Sequence, residues 1–207
     1  EDIDYLFHCA ANTSGALVMK NTPLVHVTPN IIMNAQLLEA SYFSGVKKFV
    51  WLSSSTAYPS GGFNLFKEEE MLNSDPEDKY FPVGWMKRYT EILCQMYSQK
   101  LNPQMVTVVL RPTNMYGEYD KYDLAKSHMF AATLRKIVER HNPIEVWGTG
   151  DDVRDLIYID DMIDAIILAV QKINTYYPLN IGYGRGYSVK EILNMMLKID
   201  GYQSANI

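Results

Sequence analysis

The sequence predicts an α/β fold: a doubly wound parallel sheet followed by a smaller α/β region. Three observations carry this. Strand-like and helix-like segments alternate from residue 3 to residue 111. The strand-like segments are almost continuously apolar, as strands covered on both faces are. After residue 114 the character changes, and irregular polar and aromatic stretches separate shorter elements.

The elements follow in order. IDYLFHCAA (3–11) is an apolar run ending in small residues, a buried strand entering a turn. PNIIMNAQLLEASYFSG (29–45) has helical spacing, with Ile31, Ile32, Ala35, Leu38 and Tyr42 on one stripe and Gly45 as the stop. KKFVWLSSS (47–55) is a second buried strand. Residues 56–81 are loop-like, with Pro59, Gly61, Gly62 and Pro76. A helix starts near Pro82, a residue suited to a first helical turn. Its predicted inner stripe is Trp85, Met86, Tyr89, Ile92, Leu93, Met96 and Tyr97. MVTVVLR (105–111) is a third, β-branched strand.

In the second region, SHMFAATLRKIVER reads as a helix with Met129, Phe130, Thr133, Leu134, Ile137 and Val138 inside. IEVWGTGDDVRDLIYI (144–159) reads as strand, turn, strand, with glycines at 148 and 150. DDMIDAIILAVQK is a helix with acids at its positive end. SVKEILNMMLKI opens with a capping box, Ser188 and Glu191, and should bury Val189, Ile192, Leu193, Met196 and Leu197. Gly182, Gly184 and Gly186 follow a strand and precede this helix, but no acidic residue about 20 positions on completes a dinucleotide fingerprint. They read as a loop.

Bulk properties exclude several function classes. A net charge of −5 over 207 residues gives no basic surface for nucleic acid or anionic lipid. No apolar run reaches the roughly 18 residues of a membrane span. Residues 1–14 lack the basic and apolar pattern of a signal peptide. Cys9 and Cys94 have no metal-type or CxxC spacing, and two buried free thiols in a cytoplasmic protein are expected.

Two motifs carry chemistry. Ser53, Ser54, Ser55 and Thr56 lie at a strand end, on the carboxyl edge where open α/β sheets bind ligands. On the residues alone, hydroxyls satisfying their own backbone explain them equally well. Lys87 sits one helical turn past Val83 on the same face and can reach that edge, or simply be solvated.

In order and spacing, YLFHCAA, SSSTAYP, the lysine-bearing helix, LRPTNMYG and VWGTGDDVRDLIYIDDM resemble the extended short-chain dehydrogenase/reductase family, the NAD-dependent epimerase/dehydratases. The resemblance runs over essentially the whole chain and is strongest to the GDP-L-fucose synthase branch. It implies a Rossmann-type sheet, NAD or NADP as cofactor, a nucleotide-sugar substrate with a GDP-hexose favoured, and a homodimer formed through two helices per subunit, one of them Pro82 to Lys100. Residues 1–114 would be the later part of the dinucleotide-binding domain. Residues 115–207 would bind substrate, with 150–182 returning to the sheet.

Residue by residue, the resemblance implies that Ser54 bonds the reacting sugar oxygen and that Lys87 holds the nicotinamide ribose while lowering the pKa of a neighbouring phenol. Ala10 and Ala11 would run beside the cofactor, and Pro112 and Thr113 would lie at its nicotinamide end. Asn114 would face the sugar, and His128 would be the acid of an epimerisation. Arg154 would bind the diphosphate, with Arg135 and Lys136 adding to that site and Trp147 lining the nucleotide pocket. Read without the family, His128 equally caps or packs a helix start, Arg154 pairs with Asp151, Asp152 or Asp155, and Trp147 belongs to the core.

Three departures stand out. Val83 occupies the position of the phenol, and valine carries no proton; Tyr80 and Tyr89 are the neighbouring tyrosines. Thr56 occupies the position of a second acid/base, a cysteine. The glycine-rich turn of the fold is absent, as are roughly 60 family residues ahead of Glu1 and fewer beyond Ile207.

Overall fold

The computed structural model describes residues 3–13, 18, 21–61, 65–202 and 206–207. In chain order the elements are β1 (Tyr5–His8), α1 (Leu24–Phe43), β2 (Lys48–Leu52), α2 (Phe81–Gln99), β3 (Val106–Pro112), β4 (Asn114–Tyr116), α3 (Met129–Val138), β5 (Val153–Tyr158), α4 (Ile159–Lys172), β6 (Tyr177–Ile181), β7 (Gly186–Ser188) and α5 (Val189–Asp200). Short 3-10 turns at Ser55–Ala57, Glu68–Leu72 and Asp78–Tyr80 link β2 to α2.

The main sheet has strand order β1-β2-β3-β6, all parallel. Successive residues of β2 face opposite sides, as the period of two demands. Phe49 and Trp51 pack with Leu38 of α1 and Cys94 of α2. Val50 packs with Val108, Leu110 and Ile181, under Met162 and Ala169 of α4. Both faces are thus covered by helices, which explains the unbroken apolar runs of β2 and β3. The buried Lys48 spends its charge on the C-terminal end of α4, donating to Val170 O (2.6 Å) and Ile173 O (2.7 Å).

A second, three-stranded sheet pairs β5 in parallel with β4 and antiparallel with β7. Beside it α3 and α5 enclose Ile137, Ile144, Ile192, Leu193, Met196 and Leu197. The capping box opens α5 as expected: Glu191 N donates to Ser188 Oγ (3.2 Å), and Ser188 N donates to Glu191 Oε2 (2.7 Å).

Several expectations are corrected. Of the stretch 150–182, only β6 joins the main sheet, while β5 belongs to the small one. Residues 144–149 form no strand, and Val138 is exposed. The helix predicted from residue 29 begins at Leu24 and contains Pro29. Proline has no N–H for Val25 O, and Asn12 Nδ2 donates to that carbonyl instead (2.9 Å). The buried line of α1 is mostly polar, His26, Asn30, Asn34, Leu38 and Ser41, while Ile32 is exposed. In α2, Arg88, Thr90 and Glu91 are buried, and Trp85, Tyr89 and Ile92 are exposed. Cys94 is buried, but Cys9 is exposed. Among the described residues no helix is long and apolar enough to cross a membrane.

Candidate active site

The four parallel strands end on one edge of the main sheet, and the candidate residues follow those ends. β2 stops at Leu52, and Ser54 is extended (φ −166°, ψ 151°) before the Ser55–Ala57 turn. Ser54 Oγ accepts from Thr56 N (3.1 Å) and from Thr56 Oγ1 (3.0 Å). Both bonds use its lone pairs, so the Ser54 hydroxyl proton is free to be donated outward. Thr56 thus orients Ser54.

Helix α2 is pressed onto this turn. A Cβ at Gly84 would lie 2.6 Å from Thr56 O and 2.5 Å from Pro76 Cβ, so only glycine allows the approach. Arg88 holds the same contact from the next turn, donating to Ala57 O and Ser74 O (2.8 Å each). The docking sets Lys87 at the strand edge. Its Nζ donates to Leu52 O (2.9 Å) and lies 4.7 Å from the centre of the Trp51 ring. Burial lowers the Lys87 pKa to about 8, against a smaller opposing pull from Glu91. Val83, one turn earlier, is buried at 8% exposure. Tyr80 sits at the end of the preceding 3-10 turn with the Lys79 ammonium 5.1 Å from its ring, and Tyr89 is half-exposed.

Two buried polar networks lie under the edge, and the sequence reading missed both. In the first, Glu91 and Arg111 form an ion pair (2.6 Å). Ser53 Oγ donates to Glu91 (2.6 Å). Arg111 also donates to Tyr58 OH (2.7 Å) and Glu68 O (2.8 Å), and Tyr58 donates to Asn180 Oδ1 (2.6 Å). Five separate stretches are thereby locked behind Ser54 and Pro112. In the second, Thr90 Oγ1 donates to Met86 O (3.0 Å) and accepts from Asn34 Nδ2 (3.2 Å), which turns the Asn34 oxygen to His8 Nε2 (2.7 Å). That oxygen only accepts, so His8 carries its proton on Nε2 and leaves Nδ1 as a buried, unpartnered lone pair. Burial lowers the His8 pKa, and the nearby Lys87 charge lowers it further.

The other predicted residues fall in three places. Ala10 and Ala11 are exposed along the stretch after β1. Pro112 closes β3 and is buried; Thr113 N donates to Ile181 O (2.9 Å), and Asn114 Nδ2 to Asp155 O (3.2 Å). Asp155 also accepts from Tyr183 N and Gly184 N (2.9 Å each), joining β5 to the segments that follow β3 and β6. His128 stands at the N-terminal cap of α3 with its residue surface largely open and makes no side-chain capping bond, while the residues crowding its ring desolvate it and lower its pKa.

The predicted anion-binding side chains have local partners. Arg154 bonds Asp152 Oδ2 (2.9 Å), Arg135 bonds Glu139 (2.8 Å) and Tyr122 O (2.8 Å), and Lys136 bonds Glu145 O (2.6 Å). Trp147 is 66% exposed and outside the core. Among the described residues no hydrogen bond joins these four to one another. Lys121 Nζ reaches Thr13 O (3.2 Å) and Thr13 Oγ1 (3.1 Å), tying the stretch before α3 to the stretch after β1.

Comparison with known proteins agrees with this architecture. GDP-L-fucose synthase of Sinorhizobium fredii is 30% identical over 200 residues, covering 94% of this chain and 62% of that protein. GDP-L-colitose synthase of Yersinia pseudotuberculosis is 28% identical over 206 residues, 97% of this chain and 66% of that protein. The chain thus spans about two thirds or less of the length of these curated relatives. Among solved structures, UDP-glucose 4-epimerase of Thermotoga maritima with UDP-glucose superposes with a TM-score of 0.85 at 29% identity, over 99% of this chain and 63% of that one. The GDP-D-glycero-L-gluco-heptose synthase CJ1428 of Campylobacter jejuni, solved in the presence of NADPH, shares the fold with a TM-score of 0.82 at 24% identity, over 99% of this chain and 71% of that one. Residues 1–182 match one family throughout, and with the parallel sheet and the Ser54–Lys87 edge this places the chain in the NAD dependent epimerase/dehydratase family.

Proposed function

We propose that the full-length protein is an NAD(P)-dependent enzyme of nucleotide sugars, acting on a GDP-hexose as an epimerase, dehydratase or reductase. The observation that carries this reading is the convergence of Ser54, Lys87 and Thr113 on one carboxyl edge, the place where open α/β sheets hold cofactor and substrate. The curated relatives named for GDP-sugars favour that nucleotide.

Ala10, Ala11, Pro112 and Thr113 would line the cofactor, and Lys87 would bind its ribose. Such a cofactor supplies or removes a hydride; the chain supplies binding, orientation and proton handling. Asn114, Arg135, Lys136, Trp147 and Arg154 would meet the substrate. Arg154 can offer its guanidinium to a diphosphate because its Asp152 bond is local and exposed. With Thr56 in place of a thiol, carbonyl reduction is favoured over 3,5-epimerisation. His128, at the N-terminal cap of α3, would then be without the epimerisation role.

The exposed Leu24 and Ile32 of α1 and Trp85, Tyr89 and Ile92 of α2 fit a homodimer built on these two helices. Pro29, Ile32, Met33, Gln36, Leu37 and Ala40 line a shallow, open depression on the surface of α1.

Val83 motivates a second reading, a catalytically weak protein that binds nucleotide sugar or dinucleotide for regulation. The test is turnover of a GDP-4-keto-6-deoxyhexose by the full-length protein, followed by loss of reduced-nicotinamide absorbance. Turnover at about 1 s⁻¹ or more supports the enzyme, since typical enzymes work in that range. Tight binding of NADPH without turnover supports the second reading, and neither binding nor turnover rejects both.

A further inference from the structure

We propose that Lys87 is itself the proton carrier of this site, exchanging a proton directly with the sugar oxygen where the family places a phenol. The proposal rests on the nucleotide-sugar reading above and deepens it.

Among the described residues, the geometry sets two titratable groups into this edge, the Lys87 amine and the His8 ring, and Lys87 is the one on the helix that carries Val83. Val83 is buried and inert, and the tight Gly84–Thr56 contact leaves no room for α2 to turn another residue inward. Tyr80 lies outside α2, beside the Lys79 ammonium, and Tyr89 faces away. Lys87 Nζ is fixed at Leu52 O, two residues before Ser54, at the level where β2 ends, and is largely desolvated there.

Its neighbours hold the nitrogen without neutralising it. The Leu52 carbonyl accepts a hydrogen from an ammonium or from an amine alike, so the anchor survives deprotonation. The charged and titratable groups near enough to act on it are Glu91 on its own helix and His8 at the end of β1. Glu91 is fully engaged with Arg111 and Ser53 and gives Lys87 no ion pair. His8 is bound through Nε2 to Asn34 and leaves a neutral lone pair. A lysine desolvated in this way gives up its proton more readily than a free one, and its pKa falls to about 8.

The step balances. In the reductive direction, a hydride from the reduced nicotinamide enters the carbonyl carbon of the keto-sugar and the C=O π pair moves to oxygen. That oxygen forms a bond to a proton as one Nζ–H bond of Lys87 breaks. The amine left behind regains its proton from water. Ser54 donates its free hydrogen bond to the same oxygen and steadies the developing charge.

Two measurements on the full-length protein test this. The first needs no turnover: residue-resolved acetylation of lysines by acetic anhydride, read by mass spectrometry across pH. Lys87 should reach half-maximal reactivity near pH 8, and a midpoint above 10 overturns the proposal. The second is the pH dependence of kcat for ketone reduction. Wild type should be flat below pH 8 and lose tenfold per unit above it. Lys87→Arg, which keeps the charge but cannot release a proton, should lower kcat by about 10² or more. Its KM for NADPH and its NADPH affinity by calorimetry are read beside kcat, so that a loss confined to binding is told apart from a loss of proton transfer. Val83→Tyr should remove the fall above pH 8 by supplying a phenol. If Lys87→Arg keeps kcat within threefold, or changes only KM, Lys87 merely binds ribose and the proposal fails. If wild type binds neither NADPH nor NADH, the nucleotide-sugar reading fails, and the carrier role fails with it even where the acetylation midpoint is low.

Discussion

Arg111→Met in the full-length protein should destabilise it by about 3–5 kcal/mol, the cost of leaving a buried charge unpaired. The structure sets that magnitude. The Arg111 side chain is 3% exposed and that of Glu91 2%, so water cannot replace either partner. Removing the guanidinium takes away three contacts to Glu91 (2.6, 3.0 and 3.2 Å) and leaves its carboxylate with Ser53 Oγ alone. Tyr58 keeps its bond to Asn180, while Glu68 O loses its partner. Glu91→Met should cost a similar amount, because it orphans the cation instead. The double variant removes both charges and should cost less than the sum by about 2 kcal/mol or more, as neighbours in one network couple. Urea unfolding monitored by tryptophan fluorescence gives all four free energies. Additivity within about 0.5 kcal/mol would refute the view that these side chains form one buried unit.

Other changes follow from the same contacts. Gly84→Ala should push α2 off the Ser55–Ala57 turn, costing about 1–3 kcal/mol and more than tenfold in kcat/KM, because its Cβ meets backbone at 2.6 Å. Thermal melts with steady-state rates check this; unchanged stability would contradict it. Lys87→Met isolates the linkage of one proton. The folded pKa of Lys87 is about 8 against 10.5 for the free group, so the unfolded chain binds more protons between those values. Relative to the variant, wild type should therefore gain about 1.4 kcal/mol per pH unit from pH 8 to 10.5 and hold a constant difference below pH 8. Parallel stability curves for the two proteins would exclude the shift. Asn12→Ala should destabilise by about 1 kcal/mol and raise amide exchange at the start of α1, because Val25 O has no helical donor at Pro29.

The sequence shows the sheet well because β2 and β3 are apolar on both faces, a pattern that needs only local reading. The α5 helix is equally legible, since its capping box and apolar stripe lie within a few residues of each other. Its α1 and α2 counterparts mislead, because their buried faces hold Asn34, Thr90 and Glu91, each satisfied by a residue far away in the chain. Apolar periodicity cannot register a polar group whose partner lies on another element. The candidate residues Ser54, Lys87 and Val83 come into register only through the family resemblance, while Arg111, His8 and Asp155, whose partners lie on other elements, give no local signal. The expected strand at 144–149 fails because its groups bond elsewhere: Ile144 N to Asn206 O and Glu145 O to Lys136.

The central claim, that this edge holds a nicotinamide dinucleotide beside a nucleotide sugar, is met most directly by calorimetric titration of the full-length protein with NADPH and NADH, then with GDP on the complex. The account predicts saturable binding of at least one dinucleotide with a dissociation constant of about 1–100 μM, about −8 to −5 kcal/mol, and further binding of GDP. Absence of heat for both dinucleotides, from protein shown to be folded, would contradict it.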